Sequence, residues 1–212
     1  MQQLQNNMTR TVVVLADSYK HGEHCIAGKC VQTGQWIRPV STPKGGQISD
    51  RQARSHNPYG IYPVKALQKV RMSFVEAAPL VNQPENFLID NSEWQQNYTF
   101  APNQLHTLLD QPESLWGEGD RVCFERIRSQ NISIEQSLYL VKVSALNLYF
   151  NQNNRMRASF SYNGLNYDLA VTCRNSKDIY LNQNSLMGVL CISLGEPWKQ
   201  DNCCYKLAAA IY

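Results

Sequence analysis

Two histidines and two cysteines lie within ten residues of one another near the start of the chain, at His21, His24, Cys25 and Cys30. Their nitrogen and sulfur atoms are donors that zinc prefers. The spacing H-x2-HC-x4-C matches no zinc pattern and no CxxC pair accompanies it, so we expect no metal site. Cys25 could instead be a nucleophile activated by a histidine. Adjacent strand residues point to opposite faces, however, so His24 is badly placed to activate Cys25, and we predict no catalytic residue.

An aromatic and basic set in the same region could bind nucleic acid: Tyr19, Lys20, Trp36 and Arg38. Aromatic rings stack on bases while cations hold phosphates. On alternating positions of a strand, Trp36 and Arg38 would share one face. The alternative is that Trp36 is a core residue and Arg38 a structural hydrogen-bond donor. A solvent-facing pair would favour binding, whereas a buried pair would be a feature of the fold alone.

Three further cations lie on a polar segment rich in glycine and proline, residues 41–58, which we interpret as a long exposed loop: Lys44, Arg51 and Arg54. Long loops in compact domains are often functional, so we predict that these cations contact phosphates. The alternative is that these cations are solvated and bind no ligand. Glu85 and Asn86 form a polar cluster that could recognise a base or a ribose through hydrogen bonds. They could equally cap the backbone amides of a loop.

The composition is that of a globular protein with a mildly basic surface. The 212 residues carry a net charge of +3, and 43% are hydrophobic. No segment has the roughly 18 continuous apolar residues of a membrane span, and the polar start is no secretory signal. The seven cysteines are scattered and odd in number. We therefore expect reduced thiols in a cytoplasmic protein without cofactors.

The first half of the chain predicts a small β-barrel with an insert. We expect residues 1–10 to be a flexible leader and residues 11–130 to form this barrel. Strand-like runs begin at Val12, and a Gly34 turn separates two of them. An insert of loop and short helix is predicted at about residues 80–112, with the helix over residues 102–109. Residues 117–127 are predicted to supply a closing strand.

The second half, residues 131–212, contains closely spaced strand candidates with little room for crossover helices. Asn163-Gly164 between two of them is a strong signal for a short hairpin. Such spacing favours antiparallel barrels or sandwiches. The sequence therefore predicts an all-β protein with a second barrel in this half.

Several short segments, in order along most of the chain, together resemble the dual OB-containing domain family of prokaryotic proteins. They are residues 16–20 and 25–28, Trp36-Ile37-Arg38-Pro39-Val40-Ser41, residues 83–86 with Ile89-Asp90 and Trp94, Ser193-Leu194-Gly195-Glu196-Pro197, and residues 205–209. One position departs: Cys173-Arg174 stands where the family pattern leads us to expect Asp-Pro. The resemblance implies two OB-like barrels in tandem but no particular activity, since OB folds bind oligonucleotides, sugars and proteins.

Our leading functional prediction is a non-catalytic module that binds single-stranded RNA or DNA. The resemblance also suggests that the protein is a subunit of a larger prokaryotic system such as phage defence. No individual residue supports that suggestion. One alternative is a scaffold subunit that docks on a partner enzyme, because aromatic residues are enriched in interfaces. Another is a nucleotide or small-ligand sensor around Arg38 and Glu85. An enzyme is the least favoured reading, because no nucleophile–base or carboxylate pair has the spacing that chemistry needs.

Overall fold

The computed structural model describes residues 8–20, 22–90, 92–182 and 185–212. The chain forms two compact units. The first runs to Leu80 and resumes over Pro84–Gln104, whereas the second comprises Val81–Gln83 and Leu105–Tyr212. None of the helices formed by the described residues has the length and apolar character needed to cross a membrane.

The first unit consists of strands followed by one 3₁₀ helix. The strands are β1 (Met8–Lys20), β2 (Glu23–Cys30), β3 (Trp36–Val40), β4 (Arg54–Asn57), β5 (Gly60–Pro63), β6 (Gln68–Ala77), β7 (Asn86–Ile89) and β8 (Trp94–Thr99). The 3₁₀ helix is Pro102–Leu108, and its C-terminal part belongs to the second unit.

Five of these strands close into a barrel in the order β1-β2-β3-β7-β6 and back to β1. β1 closes it because its first half pairs with β6 and its second half pairs with β2. β3 and β7 are parallel, and the other neighbours are antiparallel. Residues 12–16 of β1 are buried, as their β-branched character predicts. Gly28 is required opposite them, since a Cβ there would lie 2.1 Å from the carbonyl oxygen of Val13.

The sheet continues past the barrel through β8, β4 and β5, so that β5 is its last strand. β8 pairs with β6 and, in parallel, with β4. Trp94 and Phe74 are the largest fully buried side chains of this unit, and both belong to its hydrophobic core. The β4–β5 hairpin therefore projects from the barrel as a free edge of the described sheet.

The described residues of the second unit form seven strands and two short α-helices. They are β9 (Arg121–Cys123), α1 (Phe124–Arg128), β10 (Leu138–Lys142), β11 (Ser144–Phe150), β12 (Met156–Tyr162), β13 (Leu165–Val171), α2 (Ser176–Leu181), β14 (Val189–Pro197) and β15 (Cys203–Ile211).

This second sheet has the order β10-β14-β15-β13-β12-β11, with β9 on the side of β15. Only Val143 separates β10 from β11, so one bent strand pairs with β14 through its first half and with β12 through its second. β13 and β15 are parallel. Both units thus share one strand order, with a bent first strand that reaches two neighbours.

Several sequence expectations are confirmed. The all-β fold with two small barrels is correct. Asn163-Gly164 forms the tight turn between β12 and β13, and both residues adopt positive φ angles, 48° and 79°. That conformation is what a two-residue hairpin requires, and it explains why Asn-Gly was a reliable signal.

Two expectations about elements are wrong, and a third is only partly met. Met8–Arg10, assigned to the leader, belong to β1 and pair with β6; residues 1–7 of that leader lie outside the described residues. Within residues 80–112 the short helix predicted over residues 102–109 is present as the 3₁₀ helix, but the same segment also contains β7 and β8, which were not predicted. Residues 117–127 do not close the first barrel, since β1 and β6 already do so; instead β9 pairs with β15 in the second unit.

Candidate functional site

Trp36 is a core residue and not a stacking platform. Its side chain is buried, with 4% of the residue exposed. The ammonium of Lys29, itself buried, lies 5.3 Å from the centroid of the Trp36 ring. A cation at that distance is attracted by the π face of an indole. The ring therefore has its partner inside the protein, and no base can stack on it in this conformation.

Arg38 is also buried, and it is bound to Glu85. Its Nε donates to Oε1 of Glu85 at 3.1 Å, and the two side chains are 11% and 5% exposed. Its backbone N–H also donates to the Glu85 carbonyl oxygen, at 2.9 Å. Asn86, paired with Arg38 in the register of β3 and β7, is fully buried. Glu85 and Asn86 therefore do not line an open pocket. They make buried polar contacts that connect the parallel strands β3 and β7.

His24 lies between two carboxylates. Its Nδ1 is 2.8 Å from Oδ1 of Asp17, and its Nε2 is 2.8 Å from Oδ1 of Asp50. The Tyr19 hydroxyl donates to the same Asp50 oxygen at 2.7 Å, and its ring meets the imidazole edge to face. Carboxylates only accept, so both contacts are hydrogen bonds when the ring carries both protons. The cluster ties β1 and β2 to the loop before β4.

The two cysteines of the cluster are not partners of the His24 ring nitrogens, which both face carboxylates. Cys30 is buried and its thiol donates to the Gln32 side chain, while Cys25 is half-buried. Within the described ranges no three His, Cys, Asp or Glu side chains are arranged to hold a metal ion. His21 lies outside the described residues, as does the side chain of Lys20.

The three cations of residues 41–58 are exposed, as expected, although Arg54 lies in β4 and not in a loop. Lys44, Arg51 and Arg54 all face solvent. Arg54 is held at the β4–β5 hairpin, where its Nη2 donates to the carbonyl oxygen of Ile61 at 3.1 Å. Of the three, Arg54 is therefore positioned beside the free edge of the sheet.

A groove that sequence reasoning missed lies at this hairpin. It has a volume of about 460 Å³ and is lined by Asn57, Tyr59, Tyr62, Pro63, Lys65, Gln68 and Gln96. Tyr59 is 88% exposed and Tyr62 is 46% exposed. The Tyr62 hydroxyl donates to the carbonyl oxygen of Tyr59 at 3.1 Å, which holds the second ring near the turn. The groove thus presents two aromatic rings to solvent.

Three side-chain amides form the polar wall of the groove. Oε1 of Gln96 accepts from Nδ2 of Asn57 at 3.3 Å and from Nε2 of Gln68 at 3.1 Å. Oε1 of Gln68 in turn accepts the backbone N–H of Lys65 at 2.8 Å. These bonds fix the amides on three different strands or turns. Such a fixed amide array can donate and accept hydrogen bonds at the edge of a planar ligand.

The sequence did contain a signal for this groove. Asn57-Pro58-Tyr59-Gly60 is a turn sequence that carries an aromatic residue, and the Asn57 side chain accepts the backbone N–H of Tyr59 at 2.9 Å. A large ring at an exposed turn has no role in a core. Gln68 and Gln96, by contrast, are far apart in the sequence and meet only because β6 and β8 pair.

The outer surface of the second and third strands is where OB folds usually bind ligands. In the first barrel every residue of the third strand, β3, is buried. In the second barrel the corresponding strands carry Arg157, whose Nε donates to Asp168 at 2.9 Å. Tyr149 also donates to Asp168, and this bond raises the pKa of the tyrosine. The charge of Arg157 is therefore neutralised within the described residues.

The closed order of five strands, repeated in both units, defines a protein built from two OB-like barrels. The chain belongs to the dual OB-containing domain family, whose sequence profile matches residues 10–211. The family predicted from the short motifs is thereby confirmed. No curated protein matches the chain.

Proposed function

We propose that this protein is a nucleic-acid-binding module that holds single-stranded RNA or DNA in the groove at the β4–β5 hairpin. The observation that carries the proposal is the exposure of Tyr59 and Tyr62 beside a fixed amide array. OB-fold proteins commonly bind oligonucleotides, so membership of the dual OB family supports the same class of ligand.

The groove offers each kind of contact that a single strand needs. The rings of Tyr59 and Tyr62 would stack on bases, and such stacking contributes roughly 1–3 kcal/mol per base. The amides of Gln68 and Gln96 would bond to base edges. Lys65 is exposed and has no ion-pair partner among the described residues, so it would meet a phosphate. Arg54 lies at the same hairpin and would be a second cation for the phosphate backbone of the nucleic acid.

A single strand fits better than a duplex. Stacking on a protein ring requires a base whose face is open, whereas duplex bases already cover one another. The net charge of +3 is also modest. A protein that relied on phosphate contacts alone would need a larger basic surface.

The roles expected for Trp36 and Arg38 are not part of this proposal, because both side chains are buried. Lys44 and Arg51 remain exposed cations that could extend the phosphate path. A role as a subunit of a larger prokaryotic system, such as phage defence, rests on the family resemblance. It would be compatible with binding at the hairpin.

A protein-docking function is the second candidate, and β5 favours it. β5 is the last strand of its sheet, and an exposed edge strand can pair with an extended segment of a partner. Ile61 and Tyr62 on that edge are apolar and exposed. This candidate would use the same hairpin, but through the backbone of β5.

Fluorescence anisotropy with labelled single-stranded oligonucleotides, recorded over a salt series, tests the proposal on the full chain. We expect binding at low salt that weakens as salt rises. Tyr59→Ala should raise the Kd at least about fivefold, since one stacked base is lost. Tyr98→Ala is a matched control, because Tyr98 is 74% exposed and does not line the groove.

Absence of binding to any oligonucleotide at low salt would overturn the proposal. Equal losses from Tyr59→Ala and Tyr98→Ala would overturn the assignment to the groove. Recovery of one stoichiometric protein partner, in a pull-down that nuclease does not affect, would favour docking. In that case Ile61→Pro should disrupt the partner complex more than Ile61→Ala does. Ile61 and His56 form a non-hydrogen-bonded pair, so the Ile61 N–H faces the free edge and a proline removes that donor.

A further inference from the structure

Two cysteines lie directly opposite each other in the second unit. Cys123 on β9 pairs with Cys203 on β15 in antiparallel register. The backbone N–H of Phe124 donates to the Asn202 carbonyl oxygen at 2.9 Å, and that of Lys206 donates to the Asp120 carbonyl oxygen at 2.8 Å. Hydrogen-bonded pairs alternate with non-hydrogen-bonded pairs in an antiparallel ladder. Cys123 and Cys203 therefore form a non-hydrogen-bonded pair.

This position has the geometry that a disulfide needs. The Cα atoms of a non-hydrogen-bonded pair lie about 4.5 Å apart, with their side chains close together. Disulfides span Cα separations of roughly 4.4–6.8 Å. The next non-hydrogen-bonded pair along the same ladder is Arg121 with Tyr205. There the guanidinium carbon lies 4.4 Å from the ring centroid, so side chains on this face do meet across the strands.

Both thiols are accessible and unpaired with each other in the structure. Cys123 is exposed and Cys203 is half-buried, and both are free cysteines. The neighbouring Cys204 is different, because it points to the opposite face of β15 and is buried. Among the described residues, only the Cys123–Cys203 pair therefore combines opposite register with access from solvent.

We propose that Cys123 and Cys203 are a redox modification site that forms a reversible intramolecular disulfide by exchange with a low-molecular-weight disulfide such as oxidised glutathione. A thiolate of one cysteine attacks the small disulfide, forms a mixed disulfide and releases one small thiol. The second cysteine attacks the mixed disulfide and releases the second small thiol. The protein loses two hydrogen atoms, and the small disulfide is reduced to two thiols.

The geometry also assigns the order of attack. Cys123 is the more exposed thiol, so it is the first nucleophile. Cys203 donates its S–H to the Asp201 carbonyl oxygen at 3.4 Å, and burial followed by the charge of Asp201 raises its pKa. A protonated, shielded thiol is slow to attack a small disulfide in solution. Cys203 is well placed to attack a mixed disulfide on the adjacent Cys123.

The bond would fasten a weakly held element. β9 has three residues and pairs only with β15 among the described strands. Oxidation would lock β9, and α1 that follows it, onto the second barrel. In a reducing compartment the bond would open again, which makes the lock responsive to the thiol–disulfide balance.

Intact-mass spectrometry of the full chain, incubated with oxidised glutathione and quenched by acid, tests this inference. We expect the wild type to lose two hydrogen masses, and peptide mapping should locate the bond at Cys123 and Cys203. Cys203→Ser should instead accumulate a single glutathione adduct on Cys123. Cys25→Ser is the matched control, since it removes a half-buried thiol of the first unit and should still form the bond.

The melting temperature provides an independent readout. The oxidised wild type should melt roughly 4 °C or more above the reduced form, because a disulfide restricts the unfolded chain. Cys123→Ser should show no such shift. The inference is overturned if the wild type stops at glutathione adducts. A mapped bond between any other two cysteines would overturn it as well.

Discussion

Arg38 and Glu85 form a buried ion pair, with Nε and Oε1 3.1 Å apart, that joins the two parallel strands of the first barrel. The barrel must bring β3 and β7 side by side although a long stretch of chain separates them. The side-chain pair and the Arg38 backbone bond to Glu85 meet at this joint. The residues that looked most like a binding motif therefore hold the barrel together.

Removing one partner of this pair should destabilise the protein strongly. Arg38→Met leaves the Glu85 carboxylate buried without its cation, and such changes typically cost about 3–5 kcal/mol. Urea unfolding monitored by circular dichroism would measure the loss. The double variant Arg38→Met with Glu85→Leu should recover part of it, because it removes both charges. A single variant as stable as the wild type would show that the pair is not structural.

The salt dependence of oligonucleotide binding should report on Lys65. If its ammonium neutralises one phosphate, Lys65→Gln should weaken binding and reduce the slope of log Kd against log salt by about 1. Lys199→Gln is the control, since Lys199 is exposed and belongs to the other unit. An unchanged slope for Lys65→Gln would place the phosphate contacts elsewhere.

Most strands of this fold could be predicted from the local sequence pattern. Which strands pair with each other was harder to predict. The strand over residues 12–16 and the Asn163-Gly164 turn are determined by residue types that are adjacent in the sequence. β8 was missed because Trp94–Thr99 is mostly polar, and its strand geometry depends on pairing with β6 and β4. β9 differs, because it lies within the strand predicted over residues 117–127, and only its partner, β15, was predicted wrongly.

In the candidate site, too, some features could be predicted from the local sequence and others could not. Exposure of Arg54 followed from its polar surroundings. Burial of Trp36 could not be read from alternation, since all five residues of β3 are buried and the strand has no solvent face. The amide array needs Asn57, Gln68 and Gln96 to converge from three separate segments. No sequence spacing encodes that convergence, so only the structure reveals the groove.

The cysteines should differ in reactivity in a way that follows from burial. Burial raises the pKa of Cys204 to about 12 and that of Cys173 to about 11, so almost no thiolate forms at neutral pH. Iodoacetamide applied to the native protein should therefore modify Cys123 well before either of them, as peptide mass mapping would reveal. In denaturant all of them should react. Equal native rates would mean that Cys204 and Cys173 are not buried in solution.

Lys206 is fully enclosed in the second barrel. Its ammonium donates to the carbonyl oxygens of Gly117, Glu118 and Gly119, at 2.7, 2.9 and 2.9 Å. Burial lowers its pKa from 10.5 to about 8, although Asp120 and Glu118 act in the opposite direction. The lysine holds a glycine-rich loop onto β15, and its charge is costly to keep there.

The stability contributed by Lys206 should therefore depend on pH. Between pH 8 and 10.5 the unfolded chain keeps the lysine proton that the folded chain has released, so the free energy of unfolding rises with pH. The slope is about 1.4 kcal/mol per pH unit, or about 2 kcal/mol between pH 8 and 9.5. Lys206→Met lacks this gain. The free energy of unfolding of the wild type minus that of Lys206→Met, measured with urea, should therefore increase over that range. The titration of the buried thiols does not affect this difference, because both proteins contain them. A constant difference from pH 7 to 9.5 would show that Lys206 keeps an ordinary pKa.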